Sequence, residues 1–169
     1  MTAQSTPVAT LDLAAATRMW EEYSAASPGA VHTCPDYTIE SFGDSAELAD
    51  ALLGEVLYGS KRATSELADA FLDDGDPLPR VGSHWVVCDG SGTPRIILRT
   101  VELRIGTFHS VDAAFAFDEG EDDRSLESWR REHRRYWERT CQTRGTVFSD
   151  QDEIVLERFR VVWPPERAD

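Results

Sequence analysis

"SHWVVCDGSGTPRIILRTVELRI", residues 83–105, decides how this chain folds. Two runs rich in β-branched and aromatic residues flank "DGSGTP", a cluster of turn formers, so the segment reads as two strands joined by a Gly-rich turn. The second strand continues through Ile105, because Val101, Leu103 and Ile105 alternate with Glu102 and Arg104. A last strand, "EIVLERFRVVW" (153–163), is stopped by Pro164 and Pro165.

Helices surround these strands. "TLDLAAATRMWEEYSAA" (10–26) reads as an amphipathic helix with Leu13, Ala16 and Trp20 on one stripe and Pro28-Gly29 as its stop, after a loose stretch at 1–9. "CPDYTIESFGDS" (34–45) reads as a connector. In "SAELADALLGEVLY" (45–58), Leu48, Leu52 and Val56 recur at i+4 beside Ala49, Leu53 and Leu57. Asp44 and Glu47 suit a capping pair there, and Gly59 sits where a C′ glycine closes a helix. "DDGDPLPRVG" (73–82) is polar and proline-bearing, hence a loop. "SVDAAFAFDEGEDD" (110–123) reads as a short helix running into an acidic loop, and Ser125 caps a helix over 126–139 with the stripe Leu126, Trp129, His133 and Trp137. Helices first, then strands interrupted by a helix, predict an α+β fold with a small mixed or barrel-like sheet.

Composition sets further bounds. A length of 169 residues, 41% of them hydrophobic, suits one domain with a helical extension and a real core. No apolar run is long enough for a transmembrane helix, and "MTAQSTPVAT" lacks the basic and apolar regions of a signal peptide. A cytoplasmic protein away from membranes is therefore expected. Cys34, Cys88 and Cys141 lack CxxC spacing, and His32, His84, His109 and His133 lack HxxxH spacing, so neither a disulfide framework nor a metal site is expected.

The formal net charge of −14 repels duplex DNA, since affinity for a polyanion comes from cationic side chains that displace counterions. Positive charge gathers in "RSLESWRREHRRYWER" (124–139), where six arginines meet three glutamates; this suits a solvated helix face with i,i+4 pairs. A short single strand, a nucleotide or a nucleoside remains open as a partner.

Sixteen of the 17 basic side chains are arginine, and the one lysine is Lys61, in "YGSKRATSEL" (58–67). A phosphate loop fails here: Gly54 and Gly59 have the spacing, but Ser60 separates Gly59 from Lys61 and the glycines lie on a helix pattern. Lys61 and Thr64 are three residues apart, so they share a face on a helical turn and point apart on a straight strand. A lysine beside a hydroxyl can act as its base or as an oxyanion donor. "DEGEDDR" (118–124) packs five carboxylates into six residues. It fits an EF-hand loop poorly; Asp122 and Asp123 suit the N-terminus of the following helix. Glu119 and Glu121 are the ones that can reach a cleft as acid or base. Trp85, Trp129 and Trp137 are read as packing residues.

Four stretches together resemble the ASCH domain family: "FGDSAELADALLGEVLYGSKRATSEL", "PLPRVGSHWVVCDGSGTPRIILRTVEL", "FAFDEGEDDRSLESWRREHRRYW" and "FSDQDEIVLERFRVV". The most specific elements are the GxKxxT signature, at Gly59, Lys61 and Thr64, and the acidic segment ending in "RSL". The resemblance covers about 35–163, leaving 1–34 as an N-terminal tail and helix and 164–169 as a tail. It implies a PUA-like fold, a small, mostly antiparallel β-barrel with helices around a cleft, and RNA or an RNA-derived nucleoside as ligand. Some shorter members hydrolyse the amide of acylated cytidine with the signature lysine and threonine and a glutamate; longer members are linked to cleavage of single-stranded RNA, which the length of this chain favours. Carried over, the implied catalytic residues are Lys61, Thr64 and Glu119. Glu121 competes with Glu119, and Arg124 and Ser149 are implied as ligand-binding. No cofactor is implied. In the amidase reading Thr64 attacks the acyl carbonyl; in the nuclease reading Lys61 and Arg124 neutralise a phosphate; a third class is a pocket that binds without turnover.

Overall fold

A computed structural model describes residues 6–169; residues 1–5, part of the loose stretch expected at 1–9, lie outside the described residues. The described residues divide into two compact units, one of 6–58, Val81–Val101 and Phe159–Asp169, the other of Gly59–Arg80 and Glu102–Arg158. Five strands hydrogen-bond in the order β1 (Tyr37–Ser41), β3 (His84–Cys88), β4 (Pro94–Gly106), β5 (Ile154–Trp163), β2 (Ala63–Leu67). β1 runs parallel to β3, whereas β3–β4 and β2–β5 are antiparallel. The α+β class with a small, mostly antiparallel sheet is thus the one expected.

In the first unit, alternation along the β3–β4 hairpin sends side chains to two faces. Val86 and Ile97 pack on Ala16, Trp20 and Tyr23 of helix α1 (Leu13–Ala26). Val87, Ile96 and Leu98 pack on Phe42 and on Leu53 and Val56 of helix α3 (Ala46–Leu57). With both faces covered, β3 reads as the unbroken apolar run "WVVC".

Several boundaries differ from the sequence reading. α1 starts at Leu13 because Asp12 Oδ1 accepts the Ala15 N–H at 2.9 Å, and Leu13 itself is 59% exposed, off the buried stripe. Pro28 does more than stop α1: it opens a second helix, α2 (Pro28–Thr33), as a residue with no N–H to lose. The connector at 34–45 contains β1. Every residue of that edge strand is half-buried, so no alternation marks it, and its parallel partner lies far along the chain. Ser45, not Asp44, caps α3, its Oγ accepting the Leu48 N–H at 3.2 Å. Gly59 does occupy the C′ position, but it is not among the residues with positive φ. The Tyr58 N–H instead closes α3 on the Gly54 carbonyl.

His84 of β3 is buried, its Nε2 3.1 Å from the Tyr23 hydroxyl. Burial, aided by the Arg99 charge opposite it on β4, pushes the imidazole down to about 4. A histidine with a lowered pKa stabilises the fold fully above its unfolded value, near 6.5. That contribution is lost as pH falls from there through about 4. Proton NMR of the imidazole is expected to show His84 neutral down to about pH 4; a midpoint above 6 would remove this source of acid lability.

The second unit is built on β2 and β5. Helices α4 (Ala68–Asp74), α5 (Ala113–Glu119) and α6 (Leu126–Arg144) belong to it. Its core joins Ala63, Leu67, Ile154 and Leu156 to Phe108, Phe115, Trp129, Trp137 and Phe148. α6 outruns its expected end at 139 by more than a turn, to a stop at Gly145 with φ +77°. Trp129 and Trp137 are core residues, as read, but each indole N–H also meets a carboxylate, Glu119 and Glu66 respectively.

Candidate functional site

The site lies wholly in the second unit. Lys61 precedes β2, and the Arg62 N–H donates to the Asp118 carbonyl at 2.8 Å, tying this segment to the end of α5. α5 ends at Gly120 with φ +70°. A Cβ there would lie 2.7 Å from Lys61 N and 2.8 Å from Lys61 Cα, so only glycine allows this approach of backbone to backbone. Glu119 and Glu121 thereby flank Lys61. The loop continues through Asp122 and Arg124, both at positive φ, to Ser125, which caps α6 as expected, its Oγ accepting the Ser128 N–H.

Four charges meet. Lys61, with a side chain 1% exposed, places Nζ 2.6 Å from Glu121 Oε1 and 3.8 Å from Glu119 Oε1. Glu119 is equally buried and surrounded by donors: Ser65 Oγ at 3.1 Å, the Trp129 indole, and His133 Nε2 at 3.2 Å. His133 Nδ1 faces the Trp129 carbonyl at 2.9 Å, and its ring stacks on the Trp129 indole at 4.2 Å. Burial by itself would raise the Glu119 carboxyl, but the His133 and Lys61 charges and the donated hydrogen bonds outweigh it and hold the group near 2. Burial likewise opposes charge on His133, and the Glu119 carboxylate more than offsets this, so the imidazole is raised above its ordinary value.

Of the four, Glu121 is the one open to solvent, its side chain 25% exposed. Glu119, Glu121 and His133 could bring ligand atoms within 4.8 Å of one another. The Lys61 ammonium, 2.6 Å from Glu121, already supplies a cation there.

The other residues carried over from the sequence fall differently. Thr64 and Ser65 are neighbours on β2 and point to opposite faces; Ser65 reaches Glu119, whereas among the described residues no hydrogen bond joins Thr64 to Lys61 or Glu119. Arg124 sits at the rim with Cζ 3.5 Å over the half-exposed Phe117 ring and Nε donating to the Phe117 carbonyl at 3.0 Å. Ser149 spends its groups within its own turn, its N–H on Asp152 and its Oγ on the Gln151 N–H. Ser65, Trp129 and His133 were not read as site residues. The available signal was a histidine four residues after a tryptophan on an apolar stripe, since a buried imidazole requires polar partners.

The ASCH domain family model matches residues 38–163. Among solved structures, the ASCH domain from Lactobacillus crispatus JV V101 superposes with a TM-score of 0.79 at 28% identity, covering 88% of this chain and 94% of that one. Protein EF3133 from Enterococcus faecalis V583 superposes with a TM-score of 0.74 at 27% identity, covering 88% of each chain. No curated protein matches the chain. With the family match running from β1 to the end of β5, the chain belongs to the ASCH domain family, a PUA-like family.

Proposed function

We propose that this chain hydrolyses an amide on a small, uncharged nucleoside of the N4-acylated cytidine class at the Lys61–Glu121 pair. The observation that carries this reading is the 2.6 Å contact between a buried ammonium and a carboxylate that is itself partly exposed. Substrate approaches from the Glu121 side. Glu121 takes a proton from water as its oxygen bonds to the acyl carbon, and Lys61 stabilises the resulting oxyanion. The C–N bond then breaks as the proton passes to the amine, releasing the carboxylic acid and cytidine. Glu119 is buried and already accepts from Ser65, Trp129 and His133, which supports Glu121 as the carboxylate that meets the ligand. The orientation of Thr64 supports water over its hydroxyl as the nucleophile.

A neutral substrate also suits the charge of the protein. The arginines of α6 are largely engaged: Arg131 and Arg135 on Glu132, Arg134 on Asp150, Arg144 on Asp73. A second reading, binding and cleavage of single-stranded RNA, is favoured by one observation. The Arg124 guanidinium, without a carboxylate partner among the described residues, lies over exposed Phe117, a combination suited to a phosphate beside a stacked base.

The test is turnover of N4-acetylcytidine and of a short single-stranded RNA by the wild type, Lys61→Met, Glu121→Gln and Arg124→Gln. Nucleoside turnover that falls about 10²–10⁴-fold in the first two variants is expected. Equal rates in wild type and variants would sink the amidase. RNA cleavage abolished by Arg124→Gln, with the nucleoside untouched, would put the nuclease in its place.

A further inference from the structure

We infer that His133 is held as an imidazolium at neutral pH and acts as the positioning residue of the site, keeping Glu119 anionic so that Lys61 engages Glu121. His133 Nδ1 faces the Trp129 carbonyl at 2.9 Å and Nε2 faces Glu119 Oε1 at 3.2 Å. Both are acceptors, and a neutral imidazole has a single N–H, so either tautomer would set a lone pair against an oxygen. With Glu119 ionised, the state that its Ser65 and Trp129 donors favour, the doubly protonated ring is the one that satisfies both contacts. The ring face also suits a cation, with the Trp129 indole stacked on it at 4.2 Å.

The charged and titratable groups around it come from each neighbouring element: Lys61 before β2, Glu119 at the end of α5, and Glu121 in the following loop. Ser65 of β2 adds a hydroxyl that donates to Glu119. With His133 charged, Glu119 is neutralised from one side, and Lys61 remains at 3.8 Å from it while closing to 2.6 Å on Glu121. With His133 neutral, Glu119 would be a buried anion whose one cation is Lys61, and the ammonium would be drawn inward, away from the partly exposed carboxylate. His133 thus sets where Lys61 stands without touching substrate. The catalytic half of this inference rests on the hydrolase reading above.

The experiment is ¹⁵N and ¹³C NMR on the labelled full chain, with His133→Gln alongside. In the wild type both His133 ring nitrogens are expected to carry protons at pH 7.5, and the Glu119 carboxyl carbon to stay flat from pH 4 to 8. In His133→Gln the Glu119 carboxyl is expected to titrate inside that range, and the alkaline limb of the kcat profile to move. A neutral His133 tautomer at pH 7.5 would overturn the inference, as would a Glu119 that stays flat in a folded His133→Gln variant. The wild-type spectra decide the protonation state even if the variant fails to fold. They involve no substrate, so an imidazolium in a protein that turns over no acylcytidine supports this assignment while the hydrolase reading fails. A neutral ring in an active enzyme does the reverse.

Discussion

Glu119→Gln lowers the stability of the second unit by about 3–5 kcal/mol at neutral pH, the loss typical when one partner of a buried ion pair is removed. Glutamine keeps the shape of the side chain and can still accept from Ser65 and Trp129. What it cannot do is balance Lys61 and His133, whose remaining counter-charge is Glu121 on the solvent side. The dependence on pH separates lost charge from lost packing. A carboxyl with a lowered pKa stabilises fully above its unfolded value, near 4.5, and that contribution is lost as pH falls through about 2. The gap between wild type and Glu119→Gln, followed by amide hydrogen exchange in β2 and α6 and by urea denaturation, is therefore expected to narrow below pH 4.5. At the alkaline end the sign reverses. His133, with its raised pKa, stabilises fully below about 6.5 and loses that contribution as pH rises through its folded value. This alkaline decline is expected in the wild type and absent from Glu119→Gln. A gap that stays constant from pH 3 to 9 would mean that shape, not charge, is what glutamine fails to supply.

Gly120→Ala is the second large effect, expected to cost roughly 2–4 kcal/mol from left-handed strain together with overpacking. The methyl group would meet Lys61 N at 2.7 Å, Lys61 Cα at 2.8 Å and the Ser60 carbonyl carbon at 2.9 Å. All three are backbone atoms, so no rotamer change relieves the clash. The loop must withdraw, taking Glu121 off Lys61. Two glycines of the same unit serve as controls: Gly75 and Gly145 have φ near that of Gly120 but nothing within 4 Å of a Cβ. Alanine at either is expected to cost about 1–2 kcal/mol, the left-handed penalty alone. Urea denaturation of the three variants checks this. Equal losses at all three positions would show that the approach to Lys61 contributes nothing beyond backbone conformation.

Much of this protein follows from local pattern. The β-branched and aromatic runs of 83–105, the turn residues between them, the i+4 stripe of α6 and its Ser125 cap act over a few residues, so they are visible in the order of amino acids. The oddity of Lys61 in an arginine-rich chain is equally a property of the sequence. Other features depend on partners distant in the chain. β1 has no alternation of its own and exists because β3 offers it a parallel edge. β2 decides that Ser65, and not Thr64, turns toward Glu119, because neighbouring residues on a strand point to opposite faces while the same residues in an unassigned loop have no face at all. The two candidate carboxylates are two residues apart in one acidic run and look interchangeable there. Burial separates them: Glu119 lies among donors from β2 and α6, and Glu121 stays partly exposed while pairing with the buried Lys61. Residue order determined the central hairpin, the long helices and the lone lysine; the tertiary structure alone decided the edge strand and which side chains share the buried charge of Lys61, since desolvation and hydrogen bonding depend on what surrounds a group in space.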